Sequence, residues 1–278
     1  WRNRYIDQPM YKEYQPHEIL APYIDKYWVM EGTLEPEERI KILPDGCTDF
    51  IFNLDESANL ADQNGMKIGG MQAYFVGPMR AYSELQVCSE MIHLIGVRFT
   101  PCGLTVFTKI PMSEFTDQRV FLPDLDVLFN AGFAAILREK NTLKERLLII
   151  ERYLLFCLRY SGEVDKQVVR AVGLMHQADG KIPVRELMEQ FCLCQRHFER
   201  RFKHATGYTP KEYTRIVRFR RTMDVLRQVT RDNLFSVAID CGYYDQSHLV
   251  KEFKRLSGSP PSVFASLPKG IPITYLDG

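Results

Sequence analysis

The stretch "RHFERRFKHATGYTP", residues 196–210, returns 51 residues later as "SHLVKEFKRLSGSPP", residues 247–261. In that register His197 meets His248, Phe198 meets Leu249 and Phe202 meets Phe253, while Lys203 meets Lys254, Gly207 meets Gly258 and Pro210 meets Pro261. At about 100° per residue, Phe198, Phe202 and Ala205 fall on one side of a helix, with Arg196, Glu199, Arg200 and Lys203 on the other. The second copy separates Leu249, Phe253 and Leu256 from Ser247, Lys251, Lys254 and Arg255 in the same way. A glycine ends each helix, as a left-handed C-terminal cap requires, and a proline three residues on prevents its continuation. Each copy follows a short amphipathic stretch, "PVRELMEQF" in the first case and "NLFSVAIDCG" in the second. The pattern predicts helix, tight turn, helix, written twice.

Between the copies, "PKEYTRIVRFRRTMDVLR" from Pro210 to Arg227 carries Tyr213, Ile216, Val217, Met223 and Leu226 on one apolar side. At 1.5 Å per residue this predicts a helix about 27 Å long. Such a connector holds two short helices near one turn of duplex DNA apart, about 34 Å.

The formal net charge of +1 conceals two unlike halves. Residues 164–269 hold 19 Lys and Arg against 11 Asp and Glu, a net of +8, and residues 1–163 hold 17 against 23, a net of −6. A basic helix face seen alone reads as a solvated face. Two equivalent basic faces within one strongly basic segment point instead to an acidic partner, either nucleic acid or an acidic protein.

Residues 1–118 read as strand-rich. "DKYWVMEG", "RIKILPDGCTDFIFNL", "MQAYFVGP" and "EMIHLIGVRFTP" are β-branched and aromatic runs bounded by turn formers, and "PDG" at 44–46 is a turn in which proline presets φ and glycine supplies positive φ. The polar stretch "DESANLADQNGMKIGG" is expected as an exposed loop. A small antiparallel barrel or sandwich follows. Residues 119–163 are expected as a helical extension, with Leu143, Leu147, Ile150, Leu154 and Leu158 at helical spacing. That stripe either caps the barrel or forms a dimer seam. "RYSGEVDK" marks a boundary, residues 164–269 are expected to be all-helical, and 270–278 form a tail. The fold class is therefore α+β.

Seven cysteines, Cys47, Cys88, Cys102, Cys157, Cys192, Cys194 and Cys241, are scattered and include no C-x-x-C, so they read as reduced and largely structural. The opening "WRNRYIDQPMYKEYQ" lacks an apolar core of the secretory kind, and no run reaches the roughly 20 apolar residues of a membrane span. A cytoplasmic location is expected.

"AIDCGYYDQSHLVKEFKRLSGSPPSVFAS" resembles the signature of the AraC/XylS transcription regulators, and "RHFERRFKHATGYTPKEY" resembles their first motif. The resemblance spans about residues 164–267. It implies a domain of about seven helices with two helix-turn-helix motifs that place their second helices in successive major grooves of double-stranded DNA. It carries base contacts to Arg196, Glu199, Arg200, Gln246, Ser247 and Lys251. Arginine suits guanine, glutamine suits adenine and glutamate suits cytosine. Lys203, Lys254 and Arg255 are better placed for phosphate, and His248 is either a phosphate contact or a helix residue at the core edge. Cys194 stands where the family often has Ser, a weaker start than Asp245 provides for the second helix.

The N-terminal part is similar to the sensor region of an uncharacterised subgroup of that family, which implies a small-molecule effector, dimerisation or both. Tyr27, Trp28, Phe50, Phe52, Phe75 and Phe99 are candidates to line an effector pocket, against the reading that strand aromatics are core. RNA polymerase and a second copy of the chain are further candidate partners. His17 and His93 are the histidines of this region and make no ligand set, so neither metal nor cofactor is expected. Cys47, between Gly46 and Thr48, invites comparison with DNA-repair methyl acceptors that carry AraC-type domains, but the clustered cysteines of such a site are missing. An enzyme is not expected.

Overall fold

A strand covered on both faces carries apolar residues at consecutive positions, and "TDFIFN" and "AYFV" have that composition. The computed structural model describes the chain apart from residues 1–9, 34–38, 57–59, 63–66, 89–90, 126, 192–193, 229–233, 265–275 and 278. Cys192, the opening residues 1–9 and all of the tail but 276–277 lie outside the described residues. The strands are β1 (Met10–Tyr14), β2 (Ile24–Thr33), β3 (Arg39–Ile42), β4 (Thr48–Asn53), β5 (Leu60–Asp62), β6 (Lys67–Ile68), β7 (Ala73–Val76), β8 (Ser83–Val87), β9 (Met91–Phe99), β10 (Arg119–Phe121) and β11 (Leu276–Asp277). They form two antiparallel sheets, ordered β1-β2-β9-β4-β7-β10 and β11-β3-β8-β5-β6.

The first sheet is the middle layer of three. Trp28, Met30, Ile51, Tyr74 and Leu94 face the second sheet, where they meet Ile40, Leu60, Ile68, Leu85 and Val87. Their neighbours along the strands, among them Tyr27, Val29, Phe50, Phe52, Phe75 and Val97, face helices α1 (Ala131–Arg138) and α2 (Leu143–Leu158). Successive strand side chains alternate between faces, so burial of both faces erases the polar alternation.

Two expectations for this region need correction. The polar stretch 55–70 is not simply a loop: it supplies β5 and β6, and Leu60 and Ile68 are 1% and 0% exposed. Strands of two or three residues in a polar window leave no periodic signal. Residues 119–163 begin with a strand rather than a helix, since β10 pairs with β7 at the edge of the first sheet. The stripe on α2 packs onto its own sheet, with Ile150 and Leu154 fully buried and Leu143, Leu147 and Leu158 half-buried. Capping is thus what this stripe does, and Leu148 and Phe156 remain exposed elsewhere on the helix.

Seven helices follow among the described residues: α3 (Lys166–Gln177), α4 (Val184–Phe191), α5 (Gln195–Thr206), α6 (Pro210–Leu226), α7 (Leu234–Asp240), α8 (Gln246–Ser257) and α9 (Pro261–Phe264). They enclose two cores. α3, α4, α5 and the first half of α6 surround Phe198, Phe202, Tyr213 and Ile216. The second half of α6 with α7, α8 and α9 surrounds Phe219, Met223, Leu249 and Phe253. A Thr209–Glu212 capping box and Pro210 in the first turn start α6 firmly.

The two repeated helices start differently. Asp245 caps α8, its carboxylate accepting from the backbone N–H of His248 at 2.7 Å, whereas Cys194 at the equivalent place of α5 makes no side-chain cap bond. Both end in the left-handed region, at Gly207 (φ 80°) and Gly258 (φ 74°).

The N-terminal domain enters both helical cores. Cys102 packs into the first, and Leu43, fully buried, packs into the second. The expected turn at 44–46 lies at this boundary. Gly46 has φ 86°, and a Cβ there would lie 2.7 Å from the Tyr213 ring, so the close approach and the backbone both require glycine. Beside it, the Arg98 guanidinium bridges Asp45 at 2.8 Å and Asp49 at 3.0 Å, and Asp49 also accepts from the Trp28 indole N–H at 2.7 Å. Burial works against the charge on Arg98, but the two carboxylates hold it well above the ordinary arginine range. Asp45 is likewise held low by Arg98 and Arg220 against the opposing effect of burial.

Removing Arg98 leaves the buried Asp49 without its cation and Asp45 with only the more distant Arg220, so Arg98→Ala is expected to lower unfolding free energy by about 3–5 kcal/mol. A urea midpoint unchanged from wild type would remove this assignment. Capping gives a second expectation: Asp245→Ala should cost about 1 kcal/mol, and Cys194→Ser should gain a cap bond and stabilise by up to about 1 kcal/mol in the same assay.

Candidate nucleic-acid interface

Burial of one side of α5 and α8 dictates what the other side offers. Phe198, Phe202, Leu249 and Phe253 are at most 1% exposed, which turns Arg196, Arg200 and Lys203 of α5 outward, with Gln246, Ser247, Lys251, Lys254 and Arg255 of α8. The equivalent residues of the repeat therefore form two exposed, largely basic faces. On α8, Gln246, Ser247, Lys251, Lys254 and Arg255 line one shallow groove of 570 Å³.

Two of the expected contact residues are less free. Glu199 is half-buried and accepts a hydrogen bond from the Gln195 side chain at 2.8 Å, an i, i+4 pair within α5. His248 is half-buried on the flank of α8. Its Nδ1 accepts from the backbone N–H of Tyr244 at 3.3 Å, and its Nε2 lies 3.9 Å from Glu252. Arg255 is half-exposed and 4.0 Å from the same carboxylate.

Several supporting residues gave no sequence signal. Glu252 is 7% exposed and pairs with Arg215 of α6 at 3.0 Å, which ties the second repeated helix to the connector. Asp165 caps α3 and receives two short bonds from Arg201 of α5, at 2.6 and 2.7 Å. Burial opposes its ionisation, yet Arg201 and the N–H of Val168 hold its carboxyl below the usual range. Long-range pairs of this kind have no fixed spacing. Tyr244 is 86% exposed just before the cap of α8, beside the groove-lining Gln246 and Ser247 in sequence.

The six aromatics expected around an effector pocket are not brought together. Trp28 faces the second sheet and stacks near Tyr11 with ring centroids 6.2 Å apart. Tyr27, Phe50, Phe52, Phe75 and Phe99 occupy the opposite face, where Phe50 packs on Phe75 at 4.8 Å and on Phe129 at 5.0 Å. All six are at most 2% exposed. The physical reason is strand geometry: Tyr27 and Trp28 are adjacent and must point to opposite faces. These rings are core.

Residues 12–121 match a family described as a domain of unknown function (DUF6597), and residues 187–266 match one described as a helix-turn-helix domain. The chain is 24% identical over 194 residues to the HTH-type transcriptional regulator CdhR of Pseudomonas aeruginosa, covering 69% of this chain and 54% of that protein. It is 33% identical over 92 residues to the HTH-type transcriptional activator RhaS of Mannheimia succiniciproducens, covering 33% of each. The chain thus spans about half or less of the length of these curated relatives. ToxT from Vibrio cholerae shares the fold, with a TM-score of 0.51 and 10% identity over 88% of this chain and 99% of that one. Residues 187–266 thus carry a helix-turn-helix domain, built here as two helix-turn-helix units on one connecting helix behind an antiparallel sheet domain.

Proposed function

We propose that the chain is a sequence-specific DNA-binding transcription regulator, in which α5 and α8 enter successive major grooves of one duplex. The observation that carries this reading is the equivalent outward placement of two basic faces, Arg196, Arg200 and Lys203 on one helix and Gln246, Ser247, Lys251 and Lys254 on the other. Arg196, Arg200, Gln246, Ser247 and Lys251 are proposed to read base edges, with Glu199 joining them once it releases Gln195. Lys203, Lys254 and Arg255 are proposed to contact phosphate, with His248 at the flank.

The N-terminal domain is proposed to tune this binding through a small-molecule effector, through dimerisation, or both. One solved structure of ToxT is described as bound to an unsaturated fatty acid, and by analogy an apolar effector suits a domain with this fold. RNA polymerase is a further proposed partner. The proposed site of action is the cytoplasm; no helix among the described residues is long and apolar enough to cross a membrane.

No catalytic role is proposed. Burial and then the charge of Asp45 push the Cys47 thiol well above its usual range, which removes the support for a methyl-accepting thiolate at that position. The acidic-protein alternative is separated from DNA by competition with duplex DNA.

Arg200→Ala in the full chain is expected to cost about 1–3 kcal/mol on the specific site and to relax preference at one base position. Lys254→Ala is expected to weaken all sequences alike and to lower the salt slope by about 1. Titrations of selected and scrambled duplexes at several salt concentrations measure both. Equal loss on all sequences for Arg200→Ala reassigns it to phosphate, and absence of salt-dependent DNA binding by the full chain overturns the function.

A further inference from the structure

Gly207 and Gly258 occupy the same place in the repeat, and both lie against one loop of the N-terminal domain. A Cβ on Gly207 would come within 2.5 Å of Pro78, and one on Gly258 within 2.5 Å of the Tyr82 ring. Pro78 and Tyr82 stand four residues apart between β7 and β8. The first helix is also tied to this loop by the Tyr208 hydroxyl, which donates to the Met79 carbonyl at 3.0 Å. Next to it, the Thr116 hydroxyl donates to the Gly207 carbonyl at 2.9 Å. The second helix is tied through Tyr82, which packs against the second helical core, and through Lys41, whose ammonium lies 5.2 Å from the Tyr82 ring centre and donates to the Ser259 hydroxyl at 3.2 Å.

The loop is itself braced. Asp117 donates its backbone N–H to the Pro78 carbonyl at 2.8 Å, and its carboxylate accepts from the backbone N–H and the Nε of Arg80, both at 2.7 Å. Each repeated helix is thereby held within its own helical core, and again at its C-terminal end by residues 77–82. The tie at the helix end limits the pivoting that packing within the core leaves open.

We propose that residues 77–82 act as a ruler that holds α5 and α8 at one separation and angle, so that the N-terminal domain selects the spacing of the two half-sites without contacting DNA. This rests on the DNA-reading function proposed above. Pro78, Tyr82 and Tyr208 are positioning residues in this scheme. Inserting one base pair between half-sites turns one against the other by about 35°, a mismatch that a rigid pair of helices rejects and a pivoting pair accommodates.

The test uses the full chain as wild type, as Tyr82→Ala and as Tyr208→Phe, the last removing one hydroxyl while keeping the ring. Each is titrated with the bipartite duplex that the wild-type chain enriches from random DNA, with the same duplex carrying one inserted base pair, and with each half-site alone. Wild type is expected to lose about tenfold or more on the insertion, a loss comparable to that of a mismatched base pair, and both variants to lose about threefold or less. Half-site affinities are expected to stay within about twofold of wild type, because the reading faces are untouched. An undiminished insertion penalty in both variants overturns the ruler and leaves the DNA-reading function standing. A fall in half-site affinity equal to the fall on the full site also overturns it, since the reading helices themselves would then be damaged. If the wild-type chain enriches no sequence, the DNA-reading function fails and the ruler with it.

Discussion

Helix α6 belongs to two hydrophobic cores at once, and the arrangement of the C-terminal domain depends on that. Tyr213, Ile216 and Val217 complete the first core, and Phe219, Met223 and Leu226 complete the second. A side chain buried in a close-packed core resists displacement of even a methylene's volume, so neither motif can shift along α6 without opening its own core. Two short helices that would not be stable alone are thereby both anchored on one connector. The shared helix explains why the repeat has two cores but a single scaffold.

The N-terminal domain extends the same logic. Leu43 and Cys102 each enter one of the two cores, and the turn between β3 and β4 presses Gly46 onto Tyr213. Behind that turn stands a buried ionic group in which Arg98 satisfies Asp45 and Asp49 while Asp49 also serves Trp28. Buried charges cost several kcal/mol each unless they are paired with good geometry, and such groups hold their partners in one arrangement. The turn that touches the helical domain is therefore anchored by a buried ionic group of the sheet domain.

Much of the architecture was legible where the chain repeats a period. The C-terminal pattern of Phe198, Phe202, Leu249 and Phe253 with the stops at Gly207 and Gly258 predicts both repeated helices, and Asp245 against Cys194 predicts their unequal starts. The long strands from "DKYWVMEG" and "EMIHLIGVRFTP" were legible too. β5, β6 and β10 were not, because two- and three-residue strands are specified by the neighbours they pair with rather than by their own composition. The aromatic set failed for a related reason. Residue type marks Trp28 and Tyr27 alike as apolar surface, and only the sheet decides that they serve different layers.

What the sequence by itself determined is local: helix periods, caps, stop glycines, the charge of each half and the identity of residues left on the outward faces of α5 and α8. These follow from short-range geometry, in which a side chain's direction is set by its position in the helix or strand. Only the tertiary structure decided that Pro78 and Tyr82 meet Gly207 and Gly258, that Arg201 closes on Asp165, and that the α2 stripe turns inward. Contacts between residues some 40 to 180 positions apart arise from how whole layers pack, and packing depends on shape and volume rather than on any spacing along the chain.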